Sequence, residues 1–112
     1  MSESETLSVF IERSGGTAKY RQYHIRGRIC DIGCEIFELP MNLSLLKDSD
    51  VGFRGYELIK RLNELDGIDK IYIRPFCLTV KKSPVFDWEE LEADILFAFE
   101  SVFERPVEVN VG

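Results

Sequence analysis

Leu7, Val9 and Ile11 alternate with Ser8, Phe10 and Glu12, and this period of two predicts a first strand. Ser14-Gly15-Gly16-Thr17 then reads as a turn. From Tyr20 to Cys30 the chain reads as extended, and Asp31-Ile32-Gly33 offers a three-residue hairpin loop with glycine where a positive φ is wanted. Folding back about that loop would pair Cys30 with Cys34, Arg28 with Ile36 and Arg26 with Glu38. The opposite, apolar face would hold Ile25 with Leu39, and Gly27 beneath Phe37.

Pro40 to Ser49 is a linker without a clear period. Leu58, Ile59, Leu62 and Leu65 then recur at helical spacing, predicting a helix from Asp50 to Asp66 that ends at Gly67 as a left-handed C′ residue. Gly67–Lys82 reads as a hairpin about Pro75-Phe76. Its pairing outward sets Ile73 against Leu78 and Ile71 against Val80 on one face, with Tyr72 against Thr79 and Arg74 against Cys77 on the other. Two-residue loops usually take primed turns with positive φ, which Pro75 cannot adopt, so a one-residue slip that exchanges the faces is the competing register. In the second helix, Asp87 to Glu104, Asp87 and Glu90 fit a capping box, and Phe86 and Leu91 fit a hydrophobic staple. Trp88, Leu91, Ile95, Phe99 and Val102 form its apolar stripe, widened by Leu96 and Phe103. Pro106 to Val111 alternates as a closing edge strand.

The predicted class is α+β: an antiparallel sheet with two amphipathic helices packed on one face. One domain over residues 1–112 is expected, with residues 1–6 frayed. At 45% hydrophobic and 30% charged residues the chain has the composition of a globular domain. A net charge of −6 disfavours a general nucleic-acid binder, because phosphate contacts need a clustered positive field. No apolar run approaches the roughly 18–20 residues that span a bilayer, and no secretory signal is visible. Three cysteines, an odd count, fit a reducing cytoplasm better than a disulfide framework.

Chemistry-bearing motifs are sparse. Cys30 and Cys34 would face each other across the expected hairpin, close enough to share a metal, and soft thiolates suit zinc or an iron–sulfur centre. Their spacing is not a familiar zinc pattern, and Cys77 is the only further thiol and His24 the only histidine. Ordinary reduced thiols are the alternative. Lys19, Arg21, Arg26 and Arg28, interleaved with Tyr20, Tyr23 and His24, form the one basic and aromatic stretch. It could hold single-stranded nucleic acid, or be a solvated strand face. Asp87–Glu108 carries eight acidic residues and one arginine, so Glu89, Glu92 and Glu100 are candidates for a surface that docks a basic partner. No nucleophile elbow, phosphate loop or metalloprotease motif occurs, and an enzyme is not expected.

From Gly55 to Phe103 the sequence resembles the N-terminal domain of Nfu/NifU-type iron–sulfur scaffold proteins. The matching words are Leu62–Ile68, Cys77–Lys82 and Asp87–Leu91, where the family shows a helix ending in a glycine turn, a strand like FITVTK, and DWEEL. Fainter likenesses are Thr17–Tyr20 and Phe37–Pro40. The resemblance implies an α+β domain and a role in iron–sulfur cluster assembly or delivery, with an assembly factor or client apoprotein as partner. The family's cluster is held by a C-x-x-C motif in a separate domain, and this chain carries neither that motif nor the N-P-N signature. The expectation is therefore a non-enzymatic accessory or protein-interaction domain without a resident cofactor. Iron or an iron–sulfur cluster at Cys30 and Cys34 is the alternative, and nucleic-acid binding through Lys19–Arg28 a further one.

Overall fold

The computed structural model describes residues 6–13, 19–31, 33–46 and 48–111. The expected turn at 14–17, with Ile32 of the expected hairpin loop, lies outside them. The elements follow as β1 (Leu7–Arg13), β2 (Tyr20–Ile25), β3 (Glu35–Glu38), α1 (Asp48–Asn63), β4 (Ile68–Arg74), β5 (Cys77–Lys82), α2 (Trp88–Phe103) and β6 (Val107–Val111). They build one six-stranded sheet in the order β3-β4-β5-β2-β1-β6. All its pairs are antiparallel except β1 with β6. Both helices pack on one face, as their apolar stripes require, and the architecture is α+β.

Burial follows the period of two. Leu7, Val9, Ile11, Tyr23, Ile71, Ile73, Leu78 and Val80 are fully or almost fully buried. They meet Leu58, Ile59 and Leu62 of α1 and Leu91, Ile95 and Phe99 of α2 in a single core. The β4–β5 hairpin has the register read from its pattern: Ile71 with Val80, Tyr72 with Thr79, Ile73 with Leu78 and Arg74 with Cys77. Its two-residue turn closes without a positive φ, since among the described residues Glu104 is the only non-glycine with one. The segment after β2 occupies the turn's carbonyls. Ile25 donates its N–H to the Phe76 carbonyl at 3.0 Å and Ile29 to that of Pro75 at 2.6 Å, while the Arg28 guanidinium lies 5.3 Å over the Phe76 ring. Tertiary hydrogen bonds thus hold a turn that local preference alone does not favour.

Three expectations are corrected. No hairpin forms about residues 31–33: β2 pairs with β1 and β5, whereas β3 pairs with β4 at the sheet edge, setting Phe37 against Ile71. Residues 26–29 pass over the β4–β5 turn, and Gly27 lies beneath Phe103 of α2 and not beneath Phe37; a Cβ there would meet that ring at 2.6 Å. Leu65 and Asp66 lie beyond the end of α1, and Gly67 (φ 96°) serves the turn into β4, not the first residue past the helix. Asp87 is the N-cap residue of α2 in extended conformation, but its carboxylate makes no capping bond. The helix starts from backbone bonds instead, with the Glu90 and Leu91 N–H groups donating to the Asp87 carbonyl.

Candidate functional site

Two adjoining cavities, of about 190 and 380 Å³, form a cleft between the end of α1 and the outer face of α2. Glu64, Leu65 and Asp94 line both. Helical spacing places the α2 contribution: Glu90, Asp94 and Phe97 stand at i, i+4 and i+7, and Leu91 and Ala98 are one position further round toward the core. From the α1 side come Arg61, Glu64 and Leu65, and from the loops that follow and precede the helices come Asp66 and Phe86. The floor is apolar, with Leu65 and Phe86 half-buried against the core. The rim carries four carboxylates, on Glu64, Asp66, Glu90 and Asp94, against the one guanidinium of Arg61. Phe97 stands beside it with 64% of its surface exposed.

The acidic residues singled out from the sequence divide differently. Glu89 is exposed on the first turn of α2. Glu92 faces the sheet, where it pairs with the Arg21 guanidinium and accepts from the Tyr23 hydroxyl at 3.2 Å. Burial, with the Glu92 charge beside it, pushes the Tyr23 hydroxyl far above the ordinary tyrosine pKa. Glu100 accepts the Val107 N–H at 3.1 Å and so ties α2 to β6. Two of the three expected docking carboxylates are thus internal struts. The acidic surface that borders a cavity is made by Glu90 and Asp94 with Glu64 and Asp66. The signal for it is Phe97, an aromatic residue on the polar side of α2 that the apolar stripe does not include.

The thiols are separated in role. Cys30 is buried in the core, Cys34 is exposed, and the strand pairing expected to set them opposite each other is absent. Among the described residues no group of three or more His, Cys, Asp or Glu side chains is placed to hold a metal ion. Cys77 lies on the open face of the sheet as its register requires, yet is 8% exposed, with its sulfur 3.9 Å from the Gln22 amide oxygen. Its burial comes from neighbours on that face and not from a slipped strand.

His24, paired with Cys77 across β2 and β5, lies 2.8 Å from Glu12 through Nε2. The Cys77 thiol itself is directed to Gln22 and not to the imidazole, so no nucleophile–base pair is formed. Burial also raises the Cys77 pKa, which is the reverse of what an activated thiolate needs. A thiol reagent at pH 8 should modify Cys34 quickly, Cys77 slowly and Cys30 only after denaturant is added. Equal rates for all three would contradict these placements. The raised Cys77 pKa contributes stability that is intact below the ordinary thiol value of about 9 and is lost as pH rises through the folded-state value. Urea denaturation should therefore show wild type losing more stability than Cys77→Ala between pH 8 and pH 10.

The basic stretch does not form one surface. Strand alternation sends Arg21 and Tyr23 under α2, where Arg21 also lies 4.8 Å over the Trp88 ring, and leaves Tyr20, Gln22 and His24 on the open face. Arg26 and Arg28 belong to the segment that passes over the β4–β5 turn. A separate cleft there, of about 310 Å³, lies between residues 28–31 and the kink of α1 at Gly52. Its arginines are engaged with aromatic rings, Arg28 over Phe76 and Arg54 over Phe103.

No protein-family model matches the sequence, and no curated protein matches it significantly. Among solved structures, the X-ray crystal structure of protein SAV1430 from Staphylococcus aureus is similar in fold, with a TM-score of 0.51 at 12% identity, over 88% of this chain and 99% of that one. No helix among the described residues is long and apolar enough to cross a membrane. What this chain shares with a solved structure is its α+β architecture.

Proposed function

We propose that this chain is a non-enzymatic protein-interaction domain, an accessory to iron–sulfur cluster assembly or delivery in a reducing cytoplasm. The observation that supports an interaction role is the cleft between the helices, where an apolar floor, an exposed aromatic ring and a one-signed rim come together. The iron–sulfur context rests on the resemblance of Leu62–Ile68, Cys77–Lys82 and Asp87–Leu91 to the N-terminal domain of Nfu/NifU-type scaffolds. On this reading the cluster is the cargo of a partner, which is an assembly factor or a client apoprotein. The chain contributes recognition and holds no cluster itself.

Affinity capture from cell extract under anaerobic conditions, with identification of the retained proteins and analysis of iron and sulfide, tests the reading. An assembly factor or an iron–sulfur apoprotein should be retained, and the purified chain should stay free of metal. Failure to retain any such protein counts against the iron–sulfur context. Stoichiometric iron on the isolated chain would instead support direct binding through Cys30 and Cys34.

A further inference from the structure

We infer that the cleft between α1 and α2 receives a basic amphipathic segment of a partner protein, seating bulky apolar side chains on Leu65, Phe86 and the exposed ring of Phe97 while its lysines and arginines meet the acidic rim. This deepens the interaction reading above and rests on it. An apolar floor favours an occupant that buries hydrocarbon, and Phe97 adds an uncovered ring at the cleft's margin. The rim then chooses among such occupants by sign. Glu64, Asp66, Glu90 and Asp94 outnumber Arg61, so the cleft repels nucleic acid and acidic peptides and attracts cations. A second copy of this chain brings a net charge of −6 and is disfavoured on the same ground. A segment laid along a cleft between helices, with apolar residues on one side and charge on the other, is a familiar recognition mode.

The carboxylates here are also the ones that the fold leaves available. Glu92 and Glu100 on the same helix are engaged with Arg21, Tyr23 and the Val107 backbone, whereas Glu64, Asp66, Glu90 and Asp94 are exposed. Arg61, at one end of the rim, sets a direction, because a partner's basic residues are better accommodated toward the Asp66 and Glu90 end.

The test is titration of the isotope-labelled full chain with a synthetic amphipathic peptide, bearing leucine and phenylalanine on one face and lysine and arginine on the other, followed by NMR. Saturable shifts are expected at residues 61–66 and 86–98, with affinity falling as salt rises. Asp94→Lys should weaken binding by about tenfold or more, and Phe97→Ser should weaken it without altering the far-UV spectrum, since that ring is exposed. A charge-inverted peptide should not bind, and a lysine peptide without apolar anchors should bind more weakly. Shifts confined to the open sheet face, equal binding by the charge-inverted peptide, or wild-type affinity in Asp94→Lys would each overturn the inference. Concentration-dependent shifts at the same residues in the protein alone, with a dimer in sedimentation, would assign the cleft to a second copy instead. Loss of peptide binding while an assembly partner is still captured removes this inference and leaves the interaction reading. Peptide binding with no assembly partner captured removes only the iron–sulfur context.

Discussion

Phe99→Ala should lower the free energy of unfolding by about 3–5 kcal/mol, the usual cost of emptying a fully buried aromatic site. Phe99 is completely inaccessible, at the centre of α2's buried face, with its ring centroid 6.2 Å from that of Tyr23 on β2. It therefore joins the helix layer to the middle of the sheet, and neighbours fixed in β-strands have little freedom to collapse into the space. A domain of this size is stable by roughly 5–15 kcal/mol, so the loss is a large share of the total. Phe97→Ala is the control. Two residues away and 64% exposed, it should change stability by about 0.5 kcal/mol or less. Equal losses for the two substitutions in urea denaturation would place α2 in a different rotation about its axis.

The second large effect is expected at Gly67. Its φ of 96° lies where L side chains are strained, and a Cβ would stand 2.6 Å from Cγ of the Phe86 ring. Strain and overpacking each contribute about 1–3 kcal/mol, so Gly67→Ala should destabilise by about 2–6 kcal/mol. Because Phe86 forms part of the cleft floor, the same substitution should also shift the NMR signals of Leu91 and Asp94. Gly33→Ala, where an added Cβ meets nothing within 4 Å, should be close to neutral by comparison.

These two residues show what could be read in advance. Phe99 falls in the apolar stripe of α2, and the strand alternations of β1, β4 and β5 likewise assign the core face directly, because a half-covered sheet imposes a period of two. The β4–β5 hairpin was legible, but its register was one of two that the Pro75 turn left open, and the structure takes the one that puts Ile71, Ile73, Leu78 and Val80 in the core. What stabilises that turn, the N–H groups of Ile25 and Ile29, comes from a segment distant in sequence. Local patterning failed at residues 26–34. A glycine-containing loop between two extended runs resembles a hairpin whether the strands pair with each other or with others, and β3 pairs with β4, which comes later in the chain. With that pairing went the expected apposition of Cys30 and Cys34.

The candidate site was legible only in part. An acidic α2 is visible in composition, but which carboxylates it spends on the fold depends on Arg21, Tyr23 and the start of β6. The cleft further needs Glu64, Leu65 and Asp66, which helical periodicity had assigned to α1. They lie just past its end, where the chain turns toward Gly67 and meets α2.

Hydrogen-exchange mass spectrometry on the chain bound to a partner recovered from cell extract tests most directly whether this domain works through the cleft. Protection gained on binding should fall on residues 61–66 and 86–98, with the open face of β2 and β5 exchanging as in the free protein. Protection on that open face or along the outer edge of β6, with none at the helices, would contradict a docking role for the cleft.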